Sequence, residues 1–261
     1  MLHWISGNIK NTVLKIVTDV DETVGSVMTT FKTRVITTIR DIKNIADEMS
    51  LATTSIAKSS IQMANDVGGD TINTATNLVN GTLTSLSGTI DSAHHVTQGS
   101  IRALGATVKG VISGLEEVRA DLDKAINNII IGVIRSTAGI GGDAALTVNE
   151  TVKNIVAGLT GTSVEITKSL EQAVSTAVRA ASDSGEDVGK IAVGAITGAL
   201  SAVEDMGGSV SRTLTATINM ALETAASISG ETLLTVREAL ISGVEGARDI
   251  IENREKGENI K

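Results

Sequence analysis

The sequence predicts an all-α protein of very long amphipathic helices with an 11-residue (hendecad) repeat, folded back at Gly-Gly corners into an elongated hairpin or antiparallel bundle. Three observations carry this expectation. Pro is absent from all 261 residues, so nothing locks φ or deletes a backbone donor inside a helix. Large apolar residues return about once per helical turn over long stretches. Aromatic residues make up 1% of the chain, against a layered globular core in which each ring fills roughly 150–250 Å².

The first arm, residues 1–138, opens with the clearest stripe: Ile9, Val13, Ile16, Val20, Val24, Val27, Phe31, Val35, Ile39, Ile42, Ile45 and Met49. These make 11 steps over 40 residues. The mean step lies beside 11/3 and away from the 3.5 of a left-handed heptad coil. Elevens continue as Ile45/Ile56/Val67/Leu78 and Leu104/Leu115/Ile126. Eleven residues complete almost three turns, so the apolar seam runs nearly parallel to the helix axis. Nowhere do apolar residues alternate for long at spacing two, which speaks against strands. The many Val, Ile and Thr residues lower helix propensity, so tertiary or surface contact must supply stability.

A motif of large apolar residue, Gly, Gly, then Asp or Ser marks the corners. It occurs as Val67-Gly68-Gly69-Asp70, Ile140-Gly141-Gly142-Asp143 and Met206-Gly207-Gly208-Ser209. Gly ends a helix and Asp or Ser caps the next. The cluster 139–143 is the principal corner, and 67–70 and 206–209 admit bends within the arms. The second arm, 144–252, keeps the stripe from Val148 to Ile251, with small residues at some steps. If each segment between Gly pairs were one helix, the rods would measure roughly 80–105 Å. The tail 253–261 is charged and frays. Gly110/Gly114 and Gly194/Gly198 have the four-residue spacing that lets helix backbones approach closely.

Chemistry is sparse. Cys is absent, which excludes disulfides and Cys-ligated metal. Asp91, His94 and His95 share one helix face and are weak metal candidates. No catalytic residue and no cofactor is expected, so the chain reads as a non-enzyme. The net charge of −8 provides no basic footprint for nucleic acid. No stretch reaches the roughly 20 apolar residues of a membrane span, and no secretory signal is seen, which makes the cytoplasm the default location. Trp4, beside Leu2 and Ile5, could anchor the first turn at an apolar interface.

Function must then come from the seam. Mean hydropathy is +0.19 and charged residues are 20%, which suggests burial on more than one side. The expected partner is a second copy, in a filament, tube or scaffold. The alternative is a coat on a neutral apolar or lipid surface, such as a droplet, polymer granule or membrane. The eleven-residue period, Thr-rich polar face and scarcity of rings resemble synuclein-like and perilipin-like amphipathic proteins, and phasins, in style. The chain has no Lys-Thr-Lys-Glu-Gly-Val type repeat, so no residue role follows from that resemblance.

Overall fold

The computed structural model describes residues 46–87, 98–139, 141–159 and 166–258. The described residues form ten helices, and no strand occurs among them. In chain order these are α1 (Ala46–Asp66), α2 (Thr71–Ser87), α3 (Gln98–Glu117), α4 (Leu122–Gly139), α5 (Ala144–Leu159), α6 (Ile166–Ser184), α7 (Val188–Asp205), α8 (Val210–Ile228), α9 (Gly230–Gly243) and α10 (Ala247–Glu258).

The all-α expectation holds, and the expected helix length does not. The longest helix, α1, has 21 residues, about 31 Å at 1.5 Å per residue. The two arms are therefore divided at several further points, and 253–258, assigned to the tail, belongs to α10. The corners recur at a regular spacing. A helix and its corner together take 22 residues where the pattern is regular: the left-handed corner residues Arg119, Gly141, Gly185 and Gly207 fall 22, 44 and 22 residues apart. Across the corners the stripe does not stay in the core: Val67, Met206 and Val210, which continue it in the sequence, are exposed.

Five corners share one hydrogen-bonded design. At the fourth helix end, Gly141 N–H donates to the Ala138 carbonyl and Gly142 N–H to the Thr137 carbonyl, 3.1 and 3.0 Å. This is the Schellman arrangement, which satisfies orphan carbonyls and needs a left-handed residue at its pivot. Gly141 supplies it at φ 66°. The Asp143 carboxylate then accepts from Leu146 N–H at 3.0 Å and caps α5. The same pair of bonds recurs at Gly68/Gly69, Arg119/Ala120, Gly185/Glu186 and Gly207/Gly208. Asp70, Asp121, Asp187 and Ser209 cap the helices that follow. Only the first Gly of each Gly pair has positive φ.

Arg119 is the exception in chemistry, holding φ 54° without being Gly. A left-handed conformation costs an ordinary residue roughly 1–2 kcal/mol. The Arg119→Gly variant is expected to gain about 0.5–1 kcal/mol, the relieved strain less the greater freedom of Gly when unfolded. Equilibrium denaturation checks this, and an unchanged or lower midpoint contradicts it.

Each helix packs on its immediate neighbours and, more extensively, on the helix two places along: α1 on α3, α3 on α5, α5 on α7, and likewise α2 on α4, α4 on α6, α6 on α8. Odd and even helices thus form two layers, with the chain crossing between them at each corner, as in α-solenoids. The core lies between the layers. It is lined by Ile126, Ile129, Ile130 and Ile134 of α4, by Val148, Val152 and Ile155 of α5, and by their counterparts along the array, all fully buried.

Threonine belongs to this interior as well as to the surface. Thr82, Thr107, Thr147, Thr151 and Thr217 are buried, and each hydroxyl donates to the carbonyl four residues earlier, 2.7–2.9 Å. A folded-back hydroxyl lets Thr fill space much as Val does, with its polar atom satisfied. The Thr-rich polar face expected from the sequence is in part a core feature.

Candidate functional site

The most organised feature of the molecule is the seam between helices of one layer. A Cβ built on Gly194 would collide with the Ala145 carbonyl oxygen, and one on Gly198 with that of Asn149. Two turns of α7 therefore lie directly on the backbone of α5. In α3, Gly110 meets the Thr54 carbonyl of α1, and Gly114 stands against Ile61 and the Lys58 carbonyl. Any side chain at these positions would force the helices apart. Gly105, Gly132 and Gly158 also lie in such seams. A Cβ on Gly158 would stand 2.7 Å from Ile112 Cβ, and Gly105 and Gly132 receive the side chains of Asn154 and Asn80. These three have no Gly four residues away, so the spacing signal misses them.

Polar contacts repeat the same stagger. Gln172 Nε2 donates to the Asp123 carbonyl at 2.8 Å, Thr176 donates to Asn127 Oδ1, and Thr224 donates to Ser175 Oγ at 2.9 Å, each pair 49 residues apart. Ala145/Gly194 and Asn149/Gly198, in the other layer, have that separation too. The same 49-residue register therefore recurs in both layers between α3 and α8, while α1 meets α3 at 56 residues, through Thr54 and Gly110. Ion pairs also cross between helices of the odd layer: Lys58 with Glu117, and Lys153 with Asp205 at 2.8 Å. The hydrogen bond to Asp205 raises the Lys153 pKa above its ordinary value. Asp187, bonded by the Lys190 backbone N–H at the start of α7, is held below the usual carboxylate range.

Reactive chemistry does not converge among the described residues. Among the described residues, no group of three His, Asp or Glu is placed to hold a metal ion, and none of their helices is long and apolar enough to cross a membrane. An open cleft between α8 and α10 is lined by Thr215, Asn219, Glu223, Ile250, Asn253 and Arg254. Its cation is already engaged, since Arg254 donates to Asn219 Oδ1 at 3.4 Å and pairs with Glu223 at 3.6 Å. Of the large apolar side chains, Leu51 and Leu234 are the most exposed, at 66% and 59%.

The sequence-predicted residues are placed as follows. Gly68, Gly141 and Gly207 are the left-handed pivots of corners, and Gly69, Gly142 and Gly208 follow them. Gly110, Gly114, Gly194 and Gly198 lie in the seams. Trp4 and the trio Asp91, His94 and His95 lie outside the described residues. Two corners lack the Gly-Gly signature, at Arg119-Ala120-Asp121 and Gly185-Glu186-Asp187. Their common signal, a capping Asp two residues after the pivot at the 22-residue spacing, is present in the sequence.

Neither the models of known protein families nor the curated proteins include a match to this chain.

Proposed function

We propose that this chain is a non-enzymatic structural protein whose amphipathic helices stack within one molecule and self-associate between molecules into a filament, tube or scaffold. The observation that carries this reading is the repeated 49-residue stagger, found in carbonyl-to-glycine contacts of one layer and side-chain hydrogen bonds of the other. A register reused in both layers between α3 and α8 suits an extended support better than a pocket, because each unit contacts only its neighbours. The coat reading draws less support. Its apolar stripe would have to leave partners that bury Val148, Val152 and Ile155 fully.

Sedimentation and electron microscopy of the purified protein test the proposal, with circular dichroism recorded before and after adding apolar particles. A structural assembler is already helical and forms large particles alone. A protein that stays monomeric and gains helix only on the particles would favour the coat and overturn the assembler.

A further inference from the structure

The two layers carry unlike charge on surfaces that no described helix covers. On the outer face of the even layer, Lys124 of α4, Lys168 of α6 and Arg212 of α8 recur at 44-residue intervals, and all are exposed. Eleven residues further along two of these helices stand Arg135 and Arg179, also exposed. Eleven residues is three turns, so each helix points both its cations in nearly one direction, roughly 16 Å apart. Among the described residues, none of these five cations has an acidic partner within ion-pair distance. Between the two rows the face is polar or half-buried, with Asn128, Ile131, Gln172 and Ser175. Glu171 and Asp183 flank it.

At the end of the odd layer, α9 presents the opposite character. It turns Val236 and Leu240 into the core and leaves Glu231, Leu234, Glu238 and Ser242 exposed on its far side, with Glu245 just beyond its end. That side has three carboxylates, with Arg237, half-buried, on the flank of the same helix. Glu231 and Glu238 are two turns apart, about 10.5 Å. Neighbouring helices in a packed layer lie roughly 8–10 Å apart, and the 49-residue register sets each cation about 7.5 Å further along the axis, so the row Lys124, Lys168, Arg212 runs obliquely with a step of about 11–12 Å, close to that spacing.

We propose that the acidic face of α9 in one copy docks across the cationic row Lys124, Lys168 and Arg212 on the even layer of a second copy. The inference rests on the self-association reading and names its contact. The two surfaces differ, so the interface is head-to-tail and each copy keeps one of each surface free; repetition builds an open chain and not a closed pair. The net charge of −8 opposes the approach of two copies, but at physiological ionic strength charges beyond about 8 Å are screened. Close opposite charges then select the register.

Sedimentation velocity of the full chain tests this, with Lys168→Glu, Glu238→Lys, the two variants mixed, and both substitutions in one chain. All the altered side chains are exposed, and circular dichroism verifies that the variants fold. Each single reversal is expected to raise the dissociation constant at least tenfold, and 0.5 M salt to do the same to the wild type. The mixture and the double variant should both recover large particles, because each restores opposite charges across every junction. If the wild type assembles and the single reversals leave its particle distribution unchanged, this interface is wrong and self-association stands. A wild type that is monomeric throughout overturns both.

Discussion

Replacing Gly194 and Gly198 together with leucine is expected to cost about 2–6 kcal/mol, at roughly 1–3 kcal/mol for each overpacked site. The added carbons meet the carbonyls of Ala145 and Asn149, and a helix backbone cannot rotate aside as a flexible side chain can. For a chain of this length that corresponds to a fall in melting temperature of roughly 4–24 °C, at about 2–4 °C per kcal/mol. Gly139→Ala is the control. Gly139 also lies in a helix, has no neighbour that a Cβ would touch, and is not at positive φ. It is expected to gain about 0.5–1 kcal/mol from the reduced freedom of the unfolded chain. Equal melting curves for the two variants would remove the close backbone contact from the account.

Truncating Ile155 to alanine is the second large effect. Ile155 is fully buried in α5, the helix that packs on α3, α4, α6 and α7. Loss of its outer carbons and the resulting cavity cost about 2–5 kcal/mol. Ile228→Ala, at a residue 36% exposed, serves as comparison and should change stability far less. In a stack of nearest neighbours the damage is local. Amide hydrogen exchange should accelerate most in α3 to α7 and least in α9 and α10. A uniform acceleration along the array would show that the units unfold as a single cooperative block.

The helical class was legible from the period of Val, Ile and Leu, and so were three corners, because a left-handed pivot favours Gly and a helix start favours Asp or Ser. The length of the helices was not. A stripe spaced at 11/3 gives no sign of where the chain turns, because Val67, Met206 and Val210 continue it through the corners in the sequence although the fold leaves them exposed. Arg119 conceals its corner because hydrogen bonds from Arg119 and Ala120 hold the turn without Gly. The buried share of the Thr residues was hard to read for a related reason: composition records a hydroxyl but not that Thr151 returns it to its own helix. Of the seams, the paired glycines were visible and Gly158 was not, because no second Gly stands four residues from it to mark the close approach to Ile112.

The interchangeable corners bear on how such a molecule can change size. Asp143 and Asp187 do the same work after the same pivot, so excising the intervening 44 residues would splice one turn onto the helix that normally follows the other. A gene could thus lengthen or shorten this protein by whole units without inventing any new junction. Its reach would be set by copy number, as graduations set the span of a ruler.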